Sequence, residues 1–185
     1  AMVLEKARQA NMPKANIERA IARVADKNAT ALIEETYEAY GPAGVGIIIE
    51  VATDNKNRTM PEVRHTLEKN GGRMADPGSV MFQFTRKGVI FTKAKGDEVM
   101  MAALDAGAED VADEEDGTTI YTVAGDLAKV RTALIEAGIE IDSAELQYVA
   151  NNNVPVDEEA APKVEKLLDA IDDLDDVVAV HTNAE

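Results

Sequence analysis

The chain contains no cysteine and no tryptophan. The first absence removes disulfides, thiolate metal ligands and thiol nucleophiles together. The second, with aromatic residues at only 4%, leaves the cores to aliphatic side chains and weighs against an aromatic base-stacking platform spread over a sheet. No run of about 18 apolar residues occurs, so no membrane span is expected. No signal or transit pattern opens the chain, which makes the cytoplasm the expected location.

Catalytic equipment is equally sparse. The only serines are Ser79 and Ser143, and the only histidines are His65 and His181. No nucleophile elbow, dinucleotide fingerprint or phosphate loop is present; Gly41, Gly44 and Gly46 fit a turn before a buried strand. The acidic run Asp113-Glu114-Glu115-Asp116-Gly117 lacks the first ligand of a calcium loop, because Ala112 holds that place. The residues predict neither an enzyme, nor a metal site, nor a cofactor.

Positive charge is missing from one half. Residues 94–185 carry 5 Lys+Arg against 24 Asp+Glu, whereas residues 1–93 carry 14 against 11, within a total of -16. Phosphate contact needs cations, so any polyanion must meet the first half. The acidic half suits solubility or contact with a protein partner.

The order of elements follows from periodicity and punctuation. Pro13 suits a helix first turn, and Ile17, Ile21 and Val24 recur at helical spacing. A second helical piece is predicted over Thr30–Glu38. Val45–Ala52 is β-branched and almost wholly apolar, which predicts a central strand. Thr59-x-x-Glu62 predicts a capped helix with Met60, Val63 and Leu67 on one face. Two strands over Ser79–Thr85 and Lys87–Lys93 come next, then a helix over Asp97–Ala106. Strands at Val111–Asp113 and Thr118–Val123 follow, then a helix after Asp126 and an extended stretch over Ile139–Val149. A helix capped by Asp157 and a strand over Val177–Val180 close the chain.

These elements predict an α+β fold in three parts. Residues 1–36 form a remnant helical domain. Residues 37–86 with 150–185 form a discontinuous antiparallel-sheet domain. Residues 87–149 read β-α-β-β-α-β, a ferredoxin-like domain inserted into the other.

The cations of the first half have a pattern. Arg19, Arg23 and Lys27 step by four along one helix, with Lys14 near its start. Arg64, His65 and Lys69 lie on the capped helix, with Arg58 and Arg73 at its two ends. Arginine suits phosphate because its planar fork donates two hydrogen bonds at once. Lys14, Arg19, Arg23, Arg58, Arg64 and Arg73 are therefore the candidate nucleic-acid contacts.

Several longer motifs then resemble one family. Asn11-Met12-Pro13-Lys14-Ala15-Asn16-Ile17-Glu18-Arg19-Ala20-Ile21, Tyr37-Glu38-Ala39-Tyr40-Gly41-Pro42-Ala43-Gly44 and Asp54-Asn55-Lys56-Asn57-Arg58-Thr59 are similar to the YebC/PmpR signature. Glu62-Val63-Arg64-His65, Asn70-Gly71-Gly72, Gly78-Ser79-Val80, Phe84 to Ile90 and Asp175-Asp176-Val177 continue it. The resemblance implies three domains and a cytoplasmic DNA-binding transcriptional regulator. Its mitochondrial relative, a translational activator, implies the alternative of a ribosome-associated factor binding rRNA. It also implies that a basic helical stretch precedes residue 1, so this piece would bind nucleic acid more weakly than the intact protein.

Overall fold

A computed structural model describes residues 31–185, and these divide into two compact units. The helix predicted from Pro13, with Lys14, Arg19 and Arg23, lies outside the described residues.

The first unit runs up to Phe84 and resumes at Ala150–Glu185. Its sheet comprises β1 (Ile33–Tyr40), β2 (Gly46–Thr53), β3 (Arg73–Met74) and β8 (Val177–Thr182), in the order β3-β1-β2-β8. Neighbouring strands are antiparallel, with Tyr37 opposite Ile49 and Ile49 opposite Val180. β2 is central and nearly all buried, as its apolar run predicts. Among the described residues, two α-helices, α1 (Lys56–Lys69) and α4 (Ala161–Asp172), belong to this unit. Val63 and Leu67 of α1 and Val164, Leu167, Leu168 and Ile171 of α4 meet Tyr37, Ala39, Ile47, Ile49, Val51 and Val180 in one core. Each fully buried aliphatic side chain there contributes about 1.5–3 kcal/mol.

The second unit is Thr85–Val149. It holds β4 (Phe84–Thr92, entering from the first unit), α2 (Asp97–Ala106), β5 (Asp110–Asp113), β6 (Thr118–Val123), α3 (Leu127–Glu136) and β7 (Ser143–Ala150). The sheet order β5-β6-β4-β7 is that of a ferredoxin-like β-α-β-β-α-β fold. Ile90 and Ile120 face each other across β4 and β6 and pack with Val99, Ala103, Val130 and Leu134. Gly88 allows α3 to sit close: a Cβ there would overlap Thr122 Oγ1 and lie 2.9 Å from Leu127 Cβ.

Three expectations need correction. Residues 33–38 are strand, not helix: Tyr37 and Ala39 face the core at period two, and β2 supplies a full ladder. The N-cap of α1 is Asn55, whose side chain accepts from Asn57 N–H at 3.1 Å, while Thr59 lies inside the helix and takes the buried place expected of Met60. The predicted strand over Ser79–Thr85 is instead a loop with a 3-10 turn at Met81–Gln83, and β4 starts at Phe84. Backbone donors of that loop point to a side chain, Glu38, rather than into a ladder.

Candidate nucleic-acid interface

Helix α1 starts where Asn55 turns the chain, and its period sets which side chains reach solvent. Thr59, Val63 and Leu67 are buried; Lys56, Arg58, Arg64, His65 and Lys69 are exposed. Six residues advance a helix by about 600°, so Arg58 and Arg64 project about 120° apart. Lys69 projects within about 20° of Arg58 and about 140° from Arg64, so the cations of α1 do not form one stripe.

At the helix start, Arg58 donates to Asp54 at 2.9 Å and to Asp176 at 3.1 Å. Asp176 is buried, and its carboxylate also accepts the hydroxyls of Thr59 at 2.7 Å and Thr53 at 3.1 Å. The bond to Asp176, then that to Asp54, holds the Arg58 guanidinium above its ordinary pKa. Arg58 is half-exposed, but two carboxylates already claim its charge.

At the helix end the situation is different. Among the described residues, Arg64, Lys69 and Arg73 form no ion pair and are exposed. Gly71, at φ +85, turns the chain from α1 into edge strand β3, which carries Arg73. The Arg73 guanidinium lies over the Tyr40 ring, 4.8 Å from its centre, a cation–π contact. Tyr40 in turn donates its hydroxyl to Ser79 O at 3.3 Å.

Ser79 belongs to a loop that one carboxylate organises. Glu38 is buried and accepts from Gly78 N–H at 2.6 Å, Val80 N–H at 2.9 Å and Met81 N–H at 2.6 Å. Burial alone would push its pKa up, but the three backbone donors outweigh that and hold it below its ordinary value. Asn151 closes the other end, its N–H donating to Gln83 O at 2.8 Å and its side chain to Phe82 O at 3.4 Å. On this tethered backbone Phe82 stands 73% exposed, more than any other large apolar side chain described. Periodicity missed it, because an apolar residue in a predicted strand reads as core.

Elsewhere, His181 is buried in β8 with its Nε2 2.7 Å from Glu50 Oε2, while His65 is exposed. No group of three or more His, Cys, Asp or Glu among the described residues is arranged to hold a metal ion. No described helix is long and apolar enough to cross a membrane. On α2, Met100, Met101 and Leu104 face outward together, flanked by Asp97 and Asp105.

Comparison with known proteins places the chain. A family profile described as the TACO1/YebC second and third domain matches residues 32–184. A "Probable transcriptional regulatory protein" of Mycolicibacterium gilvum is 50% identical over 187 residues, 98% of this chain and 74% of the relative. One from Rhodococcus jostii is 50% identical over 188 residues, covering 98% and 75%. The crystal structure of a conserved hypothetical protein from Aquifex aeolicus superposes with a TM-score of 0.81 at 41% identity, covering 98% of this chain and 76% of that one. With this match across both described units, the chain belongs to the TACO1/YebC family.

Proposed function

We propose that the protein regulates gene expression by binding nucleic acid, with DNA in transcriptional control as the first reading. One observation carries it. Residues 31–185 hold 13 Lys+Arg against 32 Asp+Glu, yet Arg64 and Lys69 of α1 and Arg73 of β3 stand exposed with no ion-pair partner among the described residues. Such cations in an acidic chain suit phosphate, and the surrounding carboxylates repel non-specific polyanions. The relatives, each a "Probable transcriptional regulatory protein", favour transcription. Lys14, Arg19 and Arg23 would add to the same function. The protein would act in the cytoplasm, without a cofactor and without catalysis. The acidic half, including the apolar strip on α2, would meet a protein partner.

A second reading is a translation factor bound to ribosomal RNA, and exposed Phe82 favours it, since duplex DNA hides its base faces. The two readings separate by binding to a promoter duplex, a random duplex and ribosomes across a salt series. Preference for the promoter over random duplex supports transcription. Equal weak affinity for both duplexes with tight ribosome association transfers the role to translation. No association with any of the three overturns the proposal.

A further inference from the structure

We propose that Phe82 and the Arg73–Tyr40 stack form a binding site for unpaired nucleotides, with the Phe82 ring under a base and Arg73 on a neighbouring phosphate. The inference rests on the nucleic-acid reading above and names the form of nucleic acid that this site accepts.

Folding gives no reason for Phe82 to face solvent. The chain has three phenylalanines, and Phe84, two residues later, is buried. Nor does the exposure come from a loose loop. Glu38 holds the backbone at Gly78, Val80 and Met81, Asn151 holds it at Phe82 and Gln83, and the Asn183 side chain donates to Gln83 Oε1 at 3.1 Å. An aromatic ring on a fixed backbone loses little entropy when a flat ligand covers it. Tyr40 links the other end of this loop to Arg73 through the bond to Ser79 O. Ser79 and Phe82 are three residues apart, so their Cα atoms lie within about 11 Å. A stacking face at Phe82 and a planar cation at Arg73 are thus tied to one loop of the first unit, with exposed Lys69 four residues before Arg73 at the end of α1. Single strands are recognised by this combination, since every base has a π face and every linkage a phosphate. A duplex keeps its base faces stacked inside and offers groove edges and phosphates instead. Asp76 is the single carboxylate within the loop and is exposed, so it opposes binding.

The test uses the whole chain with fluorescein-labelled single-stranded RNA, single-stranded DNA of the same sequence, and the corresponding duplex. Anisotropy titrations across a salt series are expected to show tighter binding of single strands than of duplex; the RNA and DNA arms show which sugar is preferred. Phe82→Ala should weaken single-strand binding about tenfold, leaving duplex affinity, salt slope and thermal stability unchanged. Phe82→Tyr should bind as the unaltered protein does, and Phe82→Leu as poorly as the alanine variant. Arg73→Gln should reduce the salt slope by about 0.7, and Asp76→Asn should tighten binding. Single-strand affinity that is indifferent to Phe82→Ala, or restored by Phe82→Leu, overturns the site and makes Phe82 an ordinary apolar contact for a protein. Duplex binding without single-strand binding also overturns it while leaving the proposed function standing. Binding to no nucleic acid at all removes both.

Discussion

The Arg58 guanidinium reaches across 118 residues of chain to the Asp176 carboxylate, 3.1 Å away. The pair fastens the first turn of α1 to the segment that leads into β8. Because Asp176 also receives two threonine hydroxyls, its removal strands buried donors as well as an ion pair. Asp176→Ala is expected to lower unfolding stability by about 2–4 kcal/mol, with Asp176→Asn between it and the parent, as read by urea denaturation.

Glu38 predicts an acid sensitivity with a definite sign. Its folded pKa lies below the ordinary 4.5, so its stabilisation is complete above that value and is lost as pH falls through the folded one. Glu38→Gln should cost about 2–3 kcal/mol near neutrality. The gap between parent and variant should close in acid. Urea unfolding at a series of pH values measures it, and a gap independent of pH would refute the assignment.

The cations of the first unit should differ in their effect on nucleic-acid binding. Charge reversal at Arg64 and Arg73 is expected to flatten the salt dependence by about 0.7–0.9 per lost phosphate contact, with stability changed by less than about 0.5 kcal/mol at Arg64 and lowered by about 0.5–1 kcal/mol at Arg73, which also loses its stack on Tyr40. Arg58→Gln should change the salt slope less and thermal stability more, because two carboxylates already engage it. Titrations and melting curves on the same three variants compare them directly.

Gly88→Ala tests the packing of the second unit. The added Cβ would collide with Thr122 Oγ1 and press on Leu127 Cβ, forcing α3 away from the sheet. A loss of about 1–3 kcal/mol is expected from such overpacking. Hydrogen exchange should show the loss in β4, β6 and α3.

Much of this architecture was legible from periodicity and punctuation. α2 and β6 occupy the predicted bounds, since Gly107 takes a left-handed φ of +100 after the helix and Thr118–Val123 is β-branched at every position but Tyr121. β1 was not legible. Its Glu34, Glu35, Glu38 and Ala39 are helix formers, and the reason for Glu38 to be buried lies forty residues away in the backbone of Gly78. The interface was half legible. Helical spacing placed Arg64 and Lys69 away from the apolar face of α1, and both are exposed, but nothing local could show that Asp176 would claim Arg58. Phe82 was hidden by the same logic that works elsewhere, because hydrophobic alternation cannot register a residue held outward by the hydrogen bonding of its neighbours.

The outward ring at position 82 also gives the molecule an optical handle. These 185 residues contain no tryptophan, so within this chain Phe82→Trp would make the loop the sole source of tryptophan emission. Its spectrum would be red-shifted and open to quenching in the free protein, and would respond directly when anything flat or apolar settles over that ring.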